Sequence, residues 1–167
     1  LDMCGARFRG ENGRVIFDRE KCTVCGKCVD VCPNYVNSVC GKIGMVDEIV
    51  AEVVKDKMFY ENSGGGMTVS GGEPAMQPDG VIALIEAVRE KGITSAMETC
   101  GIGSADFYRR AHELGCLFLF DIKEVDSEKH KKFTGVGTEK IHGNLEMLMD
   151  LGADIIIRMP LIPGYND

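Results

Sequence analysis

Four short apolar runs, at 67–69, 93–97, 116–122 and 155–159, alternate with stretches of helical periodicity, and that alternation limits the chain to few folds. A helix fits 79–91, with Val81, Leu84, Ile85 and Val88 inward and Gly92 as its stop. Others fit 105–114, stopped by Gly115, and 139–151, stopped by Gly152. Ser127 can cap a short helical turn, and Pro160 and Pro163 interrupt regular structure after the last run. Upstream, Asp47 and Glu48 can charge a helix start, after which Ile49, Val50, Val53, Val54 and Met58 share one face. Strands joined by helices make a parallel sheet with right-handed crossovers, either an open sheet or part of a (β/α) barrel. The fold class expected is therefore α/β.

The first run, expected to be a buried strand, ends in Gly71, Gly72, Glu73 and Pro74. A glycine pair lets the chain turn sharply and lets a ligand approach main-chain groups. Pro74 removes a ladder donor, and Glu73 is expected to face the same opening. A plain glycine turn explains these letters equally well. The later runs favour binding, because each also ends in polar residues. Glu98 and Thr99 follow the second, Asp121 and Lys123 flank Ile122, and Arg158 sits in the fourth. In α/β sheets ligands bind at the carboxyl ends of the strands. An acid, a hydroxyl, a lysine and an arginine there suit a zwitterionic ligand. His112, His130 and His142 show no metal spacing and are expected at the solvated surface, as is the run from Glu128 to Lys132.

Residues 1–44 differ from the rest, being rich in cysteine and turns. Arg14 to Phe17 can form a hairpin strand after the turn pair Asn12-Gly13. Cys22, Cys25, Cys28 and Cys32 read C-x2-C-x2-C-x3-C, followed by Pro33. This is the ferredoxin spacing for a 4Fe–4S cluster, in which the first three sulfurs take one cube face. The fourth cysteine is expected to start a helix and point elsewhere. Zinc would need two separated C-x2-C knuckles. Cys4 is the natural fourth ligand across the hairpin, and Cys40 is its competitor. Cys100 and Cys116 read as small buried hydrophobes. The expected division is 1–44, a ferredoxin-like segment, and 45–167, the βα unit.

Composition narrows the function. A net charge of −7 argues against a nucleic-acid surface. No apolar run is long enough to span a bilayer, and no secretory signal opens the chain. Eight cysteines without such a signal fit thiolate ligands in a reducing cytoplasm better than disulfides. The chain starts at Leu1 rather than Met and stops at Asp167 just past a strand, as expected of a fragment.

The cysteine run, a helix, then SGGGMTVSGGEP, AMETCG, FDIK and IRMPLIPGYND resemble, in that order, the activating enzymes of glycyl-radical enzymes. These are radical S-adenosylmethionine (SAM) enzymes, and the likeness spans essentially the whole chain. GGEP alone is shared widely; the cysteine run before the first helix narrows it to activases with a ferredoxin-like insertion. The resemblance implies a partial (β/α) barrel of radical SAM type. In the family a C-x3-C-x2-C cluster cleaves SAM reductively, and the 5′-deoxyadenosyl radical takes a hydrogen from a glycine of the partner enzyme. It implies 4Fe–4S clusters and SAM as cofactors. It also implies a glycyl-radical enzyme as protein partner and a flavodoxin or ferredoxin-type electron donor. By resemblance, Gly71, Gly72, Glu73 and Pro74 would hold the methionyl amino group. Glu98 and Thr99 match residues near its carboxylate, where some members hold a monovalent cation. Asp121 and Lys123 match residues at the carboxylate and ribose, and Arg158 a basic residue facing SAM and the substrate peptide.

One departure is large. C-x3-C-x2-C does not occur; Cys28 and Cys32 have the first gap, but position 35 is Tyr35. Three readings are then open: part of a glycyl-radical activase, a non-catalytic iron–sulfur module with a degenerate SAM barrel, or another radical SAM oxidoreductase of the sulfatase-maturing kind. The last carries its auxiliary cysteines after the barrel, which the position of Cys22 to Cys32 argues against.

Overall fold

A computed structural model describes residues 5–166. The chain divides into two compact units, with the boundary between Ile43 and Gly44.

In the first unit, strands β1 (Arg7–Arg9) and β2 (Val15–Phe17) pair antiparallel, with Arg7 opposite Phe17 and Arg9 opposite Val15. The turn is closed by the Gly10 N–H on the Arg14 carbonyl (2.8 Å), and the Asn12 side chain accepts from the Arg14 N–H (3.0 Å). The Arg7 guanidinium lies over the Phe17 ring, 4.9 Å from its centroid. One helical turn, α1 (Lys27–Asp30), comes next and carries Cys28. Cys32 thus lies beyond a helical turn and does not start one, contrary to expectation; Pro33 and the left-handed Tyr35 prevent it.

The second unit begins with α2 (Val46–Val53), a 3-10 turn over Val54–Asp56, and α3 (Lys57–Ser63). Strand β3 (Gly66–Val69) precedes a 3-10 turn at Pro74–Met76 and α4 (Pro78–Glu90). Then come β4 (Thr94–Thr99), α5 (Ala105–Glu113), β5 (Leu117–Asp121), α6 (Ser127–Thr134), α7 (Glu139–Asp150) and β6 (Ile155–Arg158). The four strands form one parallel sheet in chain order, β3-β4-β5-β6. Apolar runs joined by helices leave little other choice.

The register sorts the sheet into two faces. Val69, Met97, Phe118 and Ile155 align on one, with Thr99 and Phe120 two residues on. Helices cover this face: Ile85, Phe107, Tyr108, Ala111, Ile141 and Leu148 pack with Met97, Phe118 and Phe120 in one buried core. Each large side chain buried there contributes roughly 1.5–3 kcal/mol. The opposite face carries Thr68, Ala96, Leu119 and Ile156 and, at its carboxyl end, Glu98, Asp121 and Arg158. None of these belongs to a core cluster.

Several expectations are corrected. Of the first strand only Met67 is buried; Thr68 is exposed because β3 is an edge strand on the uncovered face. Glu98 and Thr99 lie within β4 rather than after it, since the ladder with β5 extends to Thr99 and Phe120. Helix α2 is capped by Met45, whose N–H donates to the Glu48 side chain (3.2 Å), and it breaks at Val54, leaving Met58 exposed. Asp126, not Ser127, caps α6 by accepting from the Lys129 N–H (2.8 Å). His130 is buried, not solvated, with Nδ1 2.7 Å from the Val136 carbonyl and 2.9 Å from the Thr134 hydroxyl.

Candidate functional site

The turn after β3 sits at the carboxyl edge of the sheet. Gly71 and Gly72 both have positive φ, 77° and 55°, are exposed, and leave room beside each Cα. Left-handed backbone at two successive residues needs glycine, and it bares the main chain. Glu73 does not reach outward. Its carboxylate accepts from the Ala75 N–H (3.2 Å), the Thr99 hydroxyl (2.7 Å) and the Cys100 N–H (2.8 Å), tying the turn to the end of β4.

Thr99 is buried and spends its one proton on Glu73, so the Tyr108 hydroxyl, 2.8 Å away, donates to Thr99. The Gly101 N–H also donates to Thr99 (3.0 Å), and the Gly103 N–H to Tyr108 (3.2 Å). From α7, the Asn144 amide donates to the Gly101 and Gly103 carbonyls (2.8 and 3.0 Å). Burial pushes the Tyr108 hydroxyl up to about 12. Burial, then the Glu73 carboxylate, raises the Cys100 thiol above its ordinary value.

A charged cluster lies beside this network. Arg158 grips Asp121 with two donors (2.7 and 3.0 Å) and gives a third hydrogen bond to Glu98 (2.5 Å). The Ser70 hydroxyl, next to the glycine pair, donates to Glu98. Ser70 and then Arg158 hold the Glu98 carboxyl below the usual range; Asp121 and then Glu98 raise the guanidinium further. Register explains the gathering, because Asp121 and Arg158 are cross-strand neighbours on β5 and β6. Lys123 is exposed and takes no part in these ion pairs. Its carbonyl accepts from Asn166, whose amide also donates to the Pro160 carbonyl (2.8 and 2.7 Å). A cavity of about 220 Å³ lies there, lined by Lys123, Glu124, His130 and Phe133 among others.

Ser70, Tyr108, Asn144 and Asn166 are the participants that sequence reasoning missed. Ser70 was findable, since it abuts the glycine pair. Tyr108 and Asn144 sit inside amphipathic helices and carry no local signal.

In the first unit, Cys22, Cys25, Cys28 and Cys40 line one cavity of about 430 Å³, and Cys28 and Cys32 line a second of about 640 Å³. Cys4 lies outside the described residues. Among the described residues, the non-glycine positions with positive φ are Val24 (54°) and Tyr35 (51°), both in this loop. Left-handed backbone at a β-branched residue is strained, and strain of this kind gathers where geometry serves a site. The Val24 N–H points to the Cys22 sulfur (3.4 Å). The Cys25 thiol is drawn below its ordinary value by the Lys27 N–H, then the Thr23 hydroxyl. The Asn37 N–H does the same for Cys32, aided by those of Val36 and Asn34. Thiols so lowered are readier ligands. No three metal-ligating side chains converge on one point among the described residues. The all-thiol donor set nevertheless fits iron–sulfur chemistry. So does Arg7, which lines both cavities and whose buried Nε is a donor without an acceptor.

Parallel βα topology, with a bare glycine turn and charged strand ends gathered at the carboxyl edge of the sheet, defines an α/β protein of the kind whose ligands bind at that edge. Residues 21–167 match the Radical SAM superfamily, and the chain belongs to it. Proteins of this superfamily use a 4Fe–4S cluster and S-adenosylmethionine. The chain is 42% identical to the trans-4-hydroxy-L-proline dehydratase activating enzyme of Clostridioides difficile, over 92% of this chain and 61% of that protein. It is 39% identical to the isethionate sulfite-lyase activating enzyme of Nitratidesulfovibrio vulgaris, over 100% of this chain and 56% of that protein. The chain thus spans about three fifths of the length of these curated relatives. Among solved structures, a domain of pyruvate-formate lyase-activating enzyme from Bacteroides vulgatus matches with a TM-score of 0.57 and 32% identity, over 61% of this chain and 63% of that one. TYW1, at 21% identity and a TM-score of 0.53, covers 72% of this chain and 45% of its own and shares the fold. The sheet is a partial (β/α) barrel of radical SAM type, and among the described residues no helix is long and apolar enough to cross a membrane.

Proposed function

We propose that this chain supplies the SAM-holding sheet and an auxiliary iron–sulfur segment of a glycyl-radical enzyme activating enzyme. One observation carries the reading: Glu98, Asp121 and Arg158 meet at the carboxyl ends of adjacent parallel strands, and Ser70 links them to the bare turn at Gly71 and Gly72. Relatives that align with nearly the whole of this chain are named activating enzymes, of trans-4-hydroxy-L-proline dehydratase, isethionate sulfite-lyase and benzylsuccinate synthase. Bound SAM with a reduced 4Fe–4S cluster supplies the species that takes a hydrogen atom from a glycine of the partner enzyme.

The chain's own residues do the holding. The exposed main chain of Gly71 and Gly72 accepts from the methionyl ammonium. Glu73 and Pro74 fix the shape of that turn, with Thr99 anchoring Glu73. Glu98 and Asp121 balance positive charge, Arg158 faces the carboxylate, and Lys123 reaches the ribose side. Cys22, Cys25 and Cys28 hold an auxiliary 4Fe–4S cluster, with Cys4 as its fourth ligand or Cys40, which lines the same cavity, in its place. A flavodoxin or ferredoxin-type donor feeds it, in a reducing cytoplasm, where thiolate ligands are not lost to disulfides.

Calorimetric titration with SAM tests the sheet assignment. Asp121→Asn and Arg158→Met are each expected to weaken binding tenfold or more, about 1.4 kcal/mol. Unchanged affinity in both overturns it. A second reading, a non-catalytic iron–sulfur module, is favoured by the lack of C-x3-C-x2-C in this sequence. It predicts bound iron with no measurable SAM affinity in the parent chain.

A further inference from the structure

Arg7 has a feature that the SAM-binding reading leaves unused. It stands on β1, half-buried, and lines both cysteine cavities of the first unit. Its Nε is buried and has no hydrogen-bond partner. A buried guanidinium N–H left unsatisfied is costly, because the group has given up water without gaining an acceptor. The arginine is not loosely placed. Its plane rests on the Phe17 ring directly across the hairpin, in the register that pairs Arg7 with Phe17. Sulfurs line those cavities, Cys22, Cys25, Cys28 and Cys40 on one side and Cys28 and Cys32 on the other, and the amide and hydroxyl oxygens beside them, of Asn34, Asn37, Thr23 and Ser38, do not take up the Nε proton.

We propose that Arg7 donates to a sulfur of the iron–sulfur cluster held by Cys22, Cys25 and Cys28, and that its charge sets that cluster's reduction potential. This rests on the auxiliary-cluster reading above. Hydrogen bonds to the sulfurs and the net charge near a cluster are among the terms that fix its potential. Reduction adds one electron to a cluster that thiolate ligation already makes anionic. A fixed cation beside it therefore favours the reduced form and raises the potential. Phe17 keeps the guanidinium oriented, so Arg7 acts as a positioning and tuning group and not as a ligand.

The test is an anaerobic redox titration of the reconstituted chain, followed by the electron paramagnetic resonance of the reduced cluster, with iron and sulfide counted in every sample. Arg7→Gln should retain iron but show a more negative potential. At a fixed poise its reduced-to-oxidised ratio should fall about tenfold, which for one electron is about 59 mV. Arg7→Lys, which keeps the charge, should stay closer to the parent chain than Arg7→Gln does. Arg14→Gln removes the same charge from the exposed turn, outside both cavity walls, and should leave the potential unchanged. If Arg7→Gln loses its iron, the comparison of Arg7→Lys with the parent decides: a planar-donor role predicts a measurable negative shift, and coincident potentials overturn the hydrogen bond. Equal potentials in Arg7→Gln and the parent overturn the proposal while leaving the cluster in place. Full iron retention after Cys25→Ala instead overturns the cluster assignment on which it stands.

Discussion

At the scale of single residues, a chain of buried hydroxyls holds the glycine turn in shape. Glu73, Thr99 and Tyr108 bond in sequence, and each proton has one destination. Tyr108 ionises near 12 in the folded protein against an ordinary value of 10. The folded state therefore holds this proton more tightly than the unfolded chain does. That stabilisation is complete below pH 10 and is lost as pH rises from 10 through 12. Two pH units correspond to about 2–3 kcal/mol. Cys116, raised by burial from 9.0 to about 12, adds a loss of the same sign that begins near pH 9. Urea unfolding between about pH 8 and 12 should show this fall. Tyr108→Phe should start about 1–3 kcal/mol lower, having left the Gly103 N–H without its acceptor, but lose less on the way up. Identical slopes in variant and parent would remove Tyr108 as the cause. Thr99→Val is expected to cost about 2–3 kcal/mol at neutral pH, since Glu73, Tyr108 and Gly101 all lose their shared partner.

At the scale of elements, the edge strand β3 depends on how closely it can approach β4. A Cβ on Gly66 would collide with the Thr94 carbonyl and hydroxyl across the ladder, and backbone cannot yield as a flexible side chain does. Gly66→Ala should therefore detach β3 from the sheet and destabilise the second unit by more than about 2 kcal/mol. Native-state hydrogen exchange would show protection lost at residues 66–69 before the rest of the sheet; unchanged protection there would contradict it. That glycine was invisible in the sequence, because its constraint comes from a residue on a different strand. The strands themselves were legible, since apolar runs set between helices that stop at Gly92 and Gly115 have few other uses. The ends were not. Glu98 and Thr99 look like loop residues by polarity, yet pairing with β5 carries the ladder through them. His130 likewise sits in a run of charges that reads as solvated. Its ring nitrogen meets Val136, folded back from beyond the end of α6, a contact across a turn that helical periodicity does not encode, as well as Thr134 one turn along the same helix. At the site, the acid and arginine positions were readable as strand ends. Their joining into one cluster required the register of β5 on β6.

At the scale of the whole molecule, binding and chemistry make different demands. The sheet presents a bare glycine turn, two carboxylates and a guanidinium on one side, and none of these needs iron for its placement. Weak SAM binding by the 167-residue chain is compatible with that arrangement. Reductive cleavage asks for more: an iron atom with an open coordination position beside the methionyl group, which the family obtains from three cysteines spaced C-x3-C-x2-C. This sequence contains no such spacing, and Tyr35 stands where the third cysteine would follow Cys28 and Cys32. A cluster ligated by four thiolates is coordinatively closed, so it can pass an electron but offers SAM no metal position. Losing a metal anchor also weakens the affinity that it would have supplied. The 167-residue chain, reconstituted anaerobically and incubated with dithionite and SAM, is therefore expected to yield no 5′-deoxyadenosine by chromatography while retaining its iron. Multiple turnovers would show that cysteines between Cys22 and Cys40 can leave an iron open, and would move the cleavage site from the missing motif to the ferredoxin-like loop.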